Sequence, residues 1–336
     1  METNDRYDSL GPGFEQETHR KNSPVPIWVL LFLVISLLLT GVSMVRFPKV
    51  FGEYRIYVKA EQRMREGETS DALNDLLGVV ETHPNSVPLI VKLIDLSMEA
   101  GYYDSAAYAL NEFLAGKELN DAQYARMMRH TERLEAYFLT YDVLDNLFAD
   151  MAEMTEEEAS QQQIEDICEA LKSLLYDENQ DQAMLYYYLA TFSQSSEEYY
   201  TYIKQGYELD PELFDIRVQL GNAARTNGYT EEAKEYLLEA LAKDKKDSGA
   251  LRGLAVLSLL AGDAEEGLEY AMEAYELYPD GTYVRDTCLV ALHVNGKSEE
   301  EAAMLAEIQE IEGELEADTK QFLEDACTLQ EYYIRD

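Results

Sequence analysis

Hydrophobic and polar positions divide the chain into two regimes. From Ile27 to Val45 nineteen residues, IWVLLFLVISLLLTGVSMV, run without a charge. From Glu53 onward apolar positions recur at helical spacing in short segments separated by Gly, Asp or Asn-Gly. That pattern predicts short amphipathic helices. Tyr137–Met154 and Glu156–Tyr176 read as helices, and a last helix is expected over roughly Glu314–Tyr333. Residues 1–26 are polar and predict a disordered leader.

The apolar run predicts a transmembrane helix over Ile27–Val45. At a rise of about 1.5 Å per residue it covers nearly all of a hydrocarbon core about 30 Å thick. Pro24 and Pro26 bar extension backwards, Arg46, Pro48 and Lys49 close the far end, and Trp28 falls at an interfacial position. The alternatives are a buried core helix, rare when apolar on all faces at this length, and a cleavable signal peptide. The long polar leader and long apolar stretch oppose cleavage, although Gly41-Val42-Ser43 is a weak cleavage site. Arg6, Arg20 and Lys21 precede the run, while Arg46, Lys49, Arg55, Lys59, Arg63 and Arg65 follow it. That asymmetry favours a cytoplasmic C-terminal body.

The helical region repeats. Gly67 and Gly101 are 34 residues apart, as are Ala72 and Ala106, and Gly228, Gly262 and Gly296 keep the same interval. Ala240 and Ala274 keep it too, and Pro211 and Pro279 are separated by 68 residues with Lys245 midway. Small residues let two helices approach, glycine admits the turn, and proline stops the second helix. One such hairpin cannot bury its own apolar face, so neighbours must stack.

These markers resemble the tetratricopeptide repeat (TPR) family, whose unit is a helix–turn–helix of 34 residues. Phe214–Asp247 carries Leu220-Gly221, Asn227-Gly228-Tyr229, Glu232-Ala233 and Ala240-Leu241, with Lys245 where the family usually has proline. Ser248–Gly281 carries Leu254-Ala255, Gly262-Asp263, Ala274 and Pro279. Glu53–Ser86, Val87–Asn120 and Gln180–Leu213 carry further matches. The resemblance implies an all-α solenoid of helical hairpins behind an N-terminal transmembrane helix. The expected divisions are a leader (1–26), the membrane helix (27–45), a basic start with the first hairpins (46–120), degenerate hairpins forming a junction (121–179), further hairpins (180–311) and a C-terminal capping helix (312–336).

Composition agrees with an all-helical chain. Helix formers dominate its 336 residues, 46% are hydrophobic, and there are only 18 Gly and 8 Pro. Against 27 basic residues stand 66 acidic ones, a formal net charge of −39. Phosphate backbones are repelled by such a surface, so nucleic acid is not an expected partner. The segment Arg46–Arg65 is the exception, with six cations and two acids, a net +4 that suits anionic headgroups.

No catalytic, metal or cofactor constellation is legible. His19, His83, His130 and His293 are scattered, and Cys168, Cys288 and Cys327 form no CxxC pair. No P-loop, GxGxxG, GxSxG or HExxH occurs. Asp177–Asp181 opens like a calcium loop but lacks its glycine and closing Glu, with Gln182 and Tyr188 in those places.

Binding is therefore the expected activity. In TPR arrays the first helices line a groove for a peptide or partner helix. Carried over by resemblance, that face includes Tyr54, Tyr57, Asp95, Met98, Met184, Tyr188, Phe192, Asn222, Arg225, Arg252, Leu259 and His293. Val218 stands where a carboxylate-clamping lysine would be, so that clamp is not implied. The 25 tyrosines crowd at Tyr186-Tyr187-Tyr188, Tyr199-Tyr200 and Tyr202. Adjacent tyrosines on one helix cannot all face inward, which suggests either a contact surface over 186–207 or half-buried rings with wet hydroxyls. The expected function is a membrane-tethered scaffold or adaptor for a protein or peptide partner. A chaperone or assembly factor beside a translocon or cell-envelope complex, as in tethered bacterial TPR proteins, and an enzyme's regulatory subunit are the alternatives.

Overall fold

A computed structural model of the chain describes residues 27–149, 161–311 and 315–334, with side chains described for only part of 27–53. The chain forms two units, Met1–Glu53 and Tyr54–Asp336. The expected leader lies outside the described residues. Within the described part of Met1–Glu53 the backbone is helical from Ile27. The side chains of Ile27, Val29, Leu30, Leu33 and residues 43–50 are not among those described. Among the described residues no helix is long and apolar enough to cross a membrane.

All named elements among the described residues are helical, and an isolated antiparallel bridge joins Glu68 and Asp244. In chain order they are α1 (Ile27–Arg65), α2 (Thr69–Thr82), α3 (Val87–Glu99), α4 (Tyr103–Ala109, continued by a π turn Leu110–Leu114), α5 (Asp121–Phe148), α6 (Gln161–Leu174), α7 (Gln182–Thr191) and α8 (Ser196–Leu209). They continue as α9 (Ile216–Thr226), α10 (Thr230–Lys243), α11 (Ser248–Ala261), α12 (Ala264–Leu277), α13 (Thr282–Val294), α14 (Ser298–Ile311), α15 (Ala317–Leu323) and α16 (Leu329–Tyr333). The architecture is the expected all-α stack of hairpins, with α7–α8, α9–α10, α11–α12 and α13–α14 each antiparallel around a short turn.

Local sequence sets these boundaries. Asp181, Ser195 and Asp247 begin α7, α8 and α11 by accepting from the amides of Met184, Glu198 and Ala250 at 3.2, 3.2 and 2.9 Å. The periodic glycines at 67, 101, 228, 262 and 296 all end or follow a helix with positive φ, from +64° to +88°. Gly221 lies beneath Leu237, where an added Cβ would meet Leu237 Cγ at 2.7 Å. Small size there is what seats α10 on α9.

Two expected helices differ. The segment expected over Tyr137–Met154 belongs to α5, a 28-residue helix reaching back to Asp121. No Gly or Pro interrupts 121–148, and an Asn120–Gln123 capping box starts the helix early. The described part of Glu156–Tyr176 is α6, and residues 150–160 lie outside the described set. In place of one capping helix over 312–336, the chain forms α15 and α16. Asp325 breaks them with φ +57°, and a Thr328–Glu331 capping box restarts the chain as α16.

The core is continuous from Ala60 of α1 through α2, α3, α5 and α7, with Leu89, Ile90, Leu93 and Ile94 of α3 nearly fully enclosed. Leu289, Val290 and Leu292 of α13 anchor a second cluster that also takes in α12, α14 and Phe322 of α15.

Candidate functional site

The first helices α9, α11 and α13 adjoin one another along the array, while α10 and α12 approach each other less closely. The first helices therefore form the tighter, inner side of the curve. A cavity of about 770 Å³ opens on that side. Arg225 and Thr226 come from α9, Arg252 from α11, and Thr282, Tyr283, Asp286 and Thr287 from α13. The returning C-terminal segment closes it with Glu316, Asp318, Thr319, Tyr332 and Tyr333.

The helical period places the cations here. Arg225 lies in the last turn of α9 and Arg252 in the first part of α11, and both line the cavity. Burial, and then the neighbouring Arg252, hold the Arg225 guanidinium down to about 10. Arg252 Nε donates to Tyr283 O at 3.2 Å and Thr287 Oγ1 at 3.1 Å, and its guanidinium lies 5.4 Å from the Tyr283 ring centre. In the same cavity, burial and then Glu316 push the Asp286 carboxyl up. Two cations and the acids Asp286, Glu316 and Asp318 thus line one cavity, and Arg252 acts on Asp286 through space. Such a cavity can orient a polar, charged segment, with Tyr283, Tyr332 and Tyr333 supplying apolar faces.

The other expected groove residues separate into distinct places. Tyr54 is exposed, and Tyr57 sits under Lys92 Nζ at 4.3 Å. Met184 is 0% exposed and belongs to the core, so it offers no partner contact; this corrects its expected place. Tyr188 and Phe192 pack on Phe148 at 5.3 and 5.4 Å and are likewise part of the core wall. Leu259 is buried, and His293 turns toward Glu301 at 3.2 Å. Asn222 borders a neighbouring cavity with Tyr199, Gln219 and Thr226, and Thr226 belongs to both cavities. Asp95 and Met98 line a separate cavity with His130, Arg133, Asp181 and Asp210.

That second cavity is a joint. Arg133 of α5 reaches Asp181 and Asp210, each at 2.6 Å, and its guanidinium covers the Tyr103 ring at 4.7 Å. Tyr103 in turn donates to Asp210. Bidentate sharing of one guanidinium between two part-buried carboxylates ties α4, α5, α7 and the end of α8. Its groups are spent on one another, so it reads as structural.

The tyrosines of 186–207 are half-buried. Tyr187 donates to Asp215 at 2.9 Å, Tyr199 to Gln219 at 2.8 Å, Tyr200 to Glu232 at 2.7 Å and Tyr207 to Glu239 at 3.0 Å. Tyr275 does the same to Glu307 at 3.2 Å. The Tyr200, Tyr207 and Tyr275 bonds each span 32 positions, joining one second helix to the next. In a chain short of cations, phenols supply the donors that surface carboxylates need. Of the two sequence-based readings, half-buried rings describe this cluster.

Sequence reasoning missed the closing side of the main cavity. Thr319, Tyr332 and Tyr333 reach it only because the chain turns back after α14. The Thr328–Glu331 capping box was the one local signal that a separate helix starts there.

No protein family matches the chain, and no curated protein matches it. Among solved structures it is similar to the crystal structure of MamA, at 15% identity and a TM-score of 0.39 over 45% of this chain and 89% of that one. It is also similar to the crystal structure of the APC/C hetero-tetramer Cut9-Hcn1, at 12% identity and a TM-score of 0.42. That match covers 83% of this chain and 51% of the other, so the chain spans about half that protein's length.

Proposed function

We propose that the chain is a membrane-tethered, TPR-like scaffold that binds a protein or peptide partner in the Arg225–Arg252 cavity and works by binding rather than turnover. The observation that carries this reading is the pair of arginines, on the inner face of α9 and α11, with no carboxylate in ion-pair reach of either among the described residues. Other part-buried arginines of the array are paired with acids, as at Arg133 and at Arg217, whose Nη2 meets Glu212 at 3.0 Å. Cations on a groove with no carboxylate in contact, and Asp286 acting on Arg252 only from farther off, suit a segment brought by a partner.

Membrane tethering is supported by the apolar residues of Ile27–Val45. Trp28, Leu31, Phe32, Val34, Ile35, Leu37, Leu38, Leu39 and Val42 are each more than half exposed. They cover more than half of the helix circumference, and water would not tolerate so large an apolar surface. The basic segment Arg46–Arg65 supports a cytoplasmic body by the positive-inside rule.

Crosslinking tests the groove. A photoreactive residue in place of Thr282 in the intact membrane should yield one identified protein adduct. That adduct should disappear with Arg225→Ala and Arg252→Ala. An adduct indifferent to both changes removes the groove from the proposal. A reporter fused after Asp336, active only in the cytoplasm, tests the orientation, and activity restricted to the opposite side refutes it.

A further inference from the structure

The element closing the Arg225–Arg252 cavity is held differently from every hairpin in the stack. No residue of α16 is fully enclosed, although Leu329, Tyr332 and Tyr333 are half-buried and the Tyr333 hydroxyl reaches the interior. A helix this short has no independent stability, so its docking alone keeps it in place. That docking rests on Tyr332, whose hydroxyl meets Thr319 Oγ1 at 2.8 Å and whose ring lies 5.4 Å from Phe322. Tyr333 stands edge-on to Tyr332 at 4.6 Å.

Both sides of the contact are left short of partners. Arg225 Nε is buried with none, and the buried Tyr333 hydroxyl has only Thr287 beside it, without a hydrogen bond of ordinary geometry. The hydrogen bond recorded for the Arg225 side chain runs from Nη1 to the Tyr333 main-chain carbonyl at 3.5 Å, the long limit of such a bond. That carbonyl belongs to the last residue of α16, one of the acceptors a helix end leaves over. A neutral carbonyl at this distance is a poor match for a desolvated guanidinium, since a carboxylate bonds about twice as strongly.

We propose that α16 is a displaceable part of the cavity wall, standing in for a partner segment that carries two adjacent aromatic residues followed directly by one carboxylate. The aromatic pair takes the places of Tyr332 and Tyr333 against Thr319 and Phe322. The carboxylate takes the place of the Tyr333 carbonyl at Arg225. Asp286 and Glu316, which line the same cavity, repel any longer acidic run, so a single carboxylate is selected. While α16 is seated the places of its two aromatic rings on the cavity wall are taken, and partner binding there must include its release. This inference rests on the cavity being the partner site.

The test uses the full chain in detergent. The probe is a fluorescein-labelled peptide, Leu-Gln-Glu-Tyr-Tyr-Glu with an amidated end, followed by fluorescence anisotropy. The doubly substituted chain Tyr332→Ala, Tyr333→Ala should bind it at least ten-fold more tightly than the unsubstituted chain. Adding Arg225→Met should abolish binding, and a probe ending in Gln should bind several-fold more weakly. Hydrogen exchange on the unsubstituted chain supplies a measurement free of folding artefacts: saturating probe should deprotect the amides of 329–334. Equal affinity for both chains, or unchanged protection, overturns the displaceable helix. If the probe fails while an Arg225-dependent partner adduct at Thr282 persists, this inference falls and the groove stands. Loss of both takes the groove reading as well.

Discussion

Thr69 donates its hydroxyl to the main-chain carbonyl of Lys243 at 2.6 Å, across 174 positions of sequence. Around it, Lys245 N donates to Gly67 O at 2.8 Å, Lys246 Nζ meets Asp71 at 2.8 Å, and Ser70 donates to Asp244. A stack in which each hairpin touched only its neighbours would not bring the first turn to the end of α10. The array therefore closes along one edge, and several consequences can be measured.

Glycines of equal period should differ in cost. Gly101 and Gly262 both hold positive φ, +78° and +88°. A Cβ on Gly262 meets nothing within 4 Å, whereas on Gly101 it would lie 1.8 Å from Glu212 O. Gly262→Ala should cost about 1 kcal/mol from the left-handed backbone alone. Gly101→Ala should cost about 3 kcal/mol, because the α8–α9 turn must also move. Urea midpoints compare the two, and equal costs would deny the closed edge.

Arg133 should matter more than its exposure suggests. Arg133→Met leaves Asp181 and Asp210 facing each other without a cation, and is expected to cost about 3 kcal/mol. Arg126, more exposed and paired to Asp95 at 2.6 Å, should lose under about 1 kcal/mol on the same change. Thermal unfolding of both variants checks this, and near-equal losses would reduce the joint to a surface contact.

Arg225 should trade stability for binding. A buried cation without a carboxylate weakens the fold, so Arg225→Met is expected to stabilise the chain by about 1 kcal/mol or more. The partner adduct should vanish in the same variant. A destabilised Arg225→Met chain would mean that the guanidinium has a structural partner after all.

Alkaline unfolding should follow tyrosine ionisation. Burial pushes Tyr137 and Tyr199 up to about 12, and it raises Tyr103, Tyr187 and Tyr188 as well. A phenol raised in the folded state contributes stability that is whole below its unfolded value of about 10 and is lost as pH climbs through the folded value. Arg225, lowered to about 10, opposes this as a single group. Ellipticity and absorbance at 295 nm should therefore change together between about pH 10 and 12. Full ionisation near pH 10 with helicity intact would contradict the half-buried phenols.

The secondary structure and the hairpin stack were legible because their causes are local. Gly67, Gly101, Gly228, Gly262 and Gly296 mark turns through one residue's own backbone freedom, and Ala233 and Ala240 mark close approach by size alone. The arginine pair was legible too, since Arg225 and Arg252 occupy one face of consecutive first helices. Met184, Tyr188 and Phe192 were misplaced because periodicity names a helix face without saying what later covers it. Here α5 runs 28 residues and brings Phe148 over Tyr188 and Phe192.

By itself the sequence determined the helices, their 34-residue spacing, the uncharged run Ile27–Val45 and the acidic character of the array. Tertiary structure alone decided that Thr69 meets Lys243, that Arg133 gathers Asp181 and Asp210, and that Tyr332 and Tyr333 return to cover Arg225. The physical reason is range. Backbone preferences and periodic burial act within a few turns and are written in neighbouring residues. Contacts between distant segments depend on the summed curvature of many hairpins, which no single interval of the chain encodes.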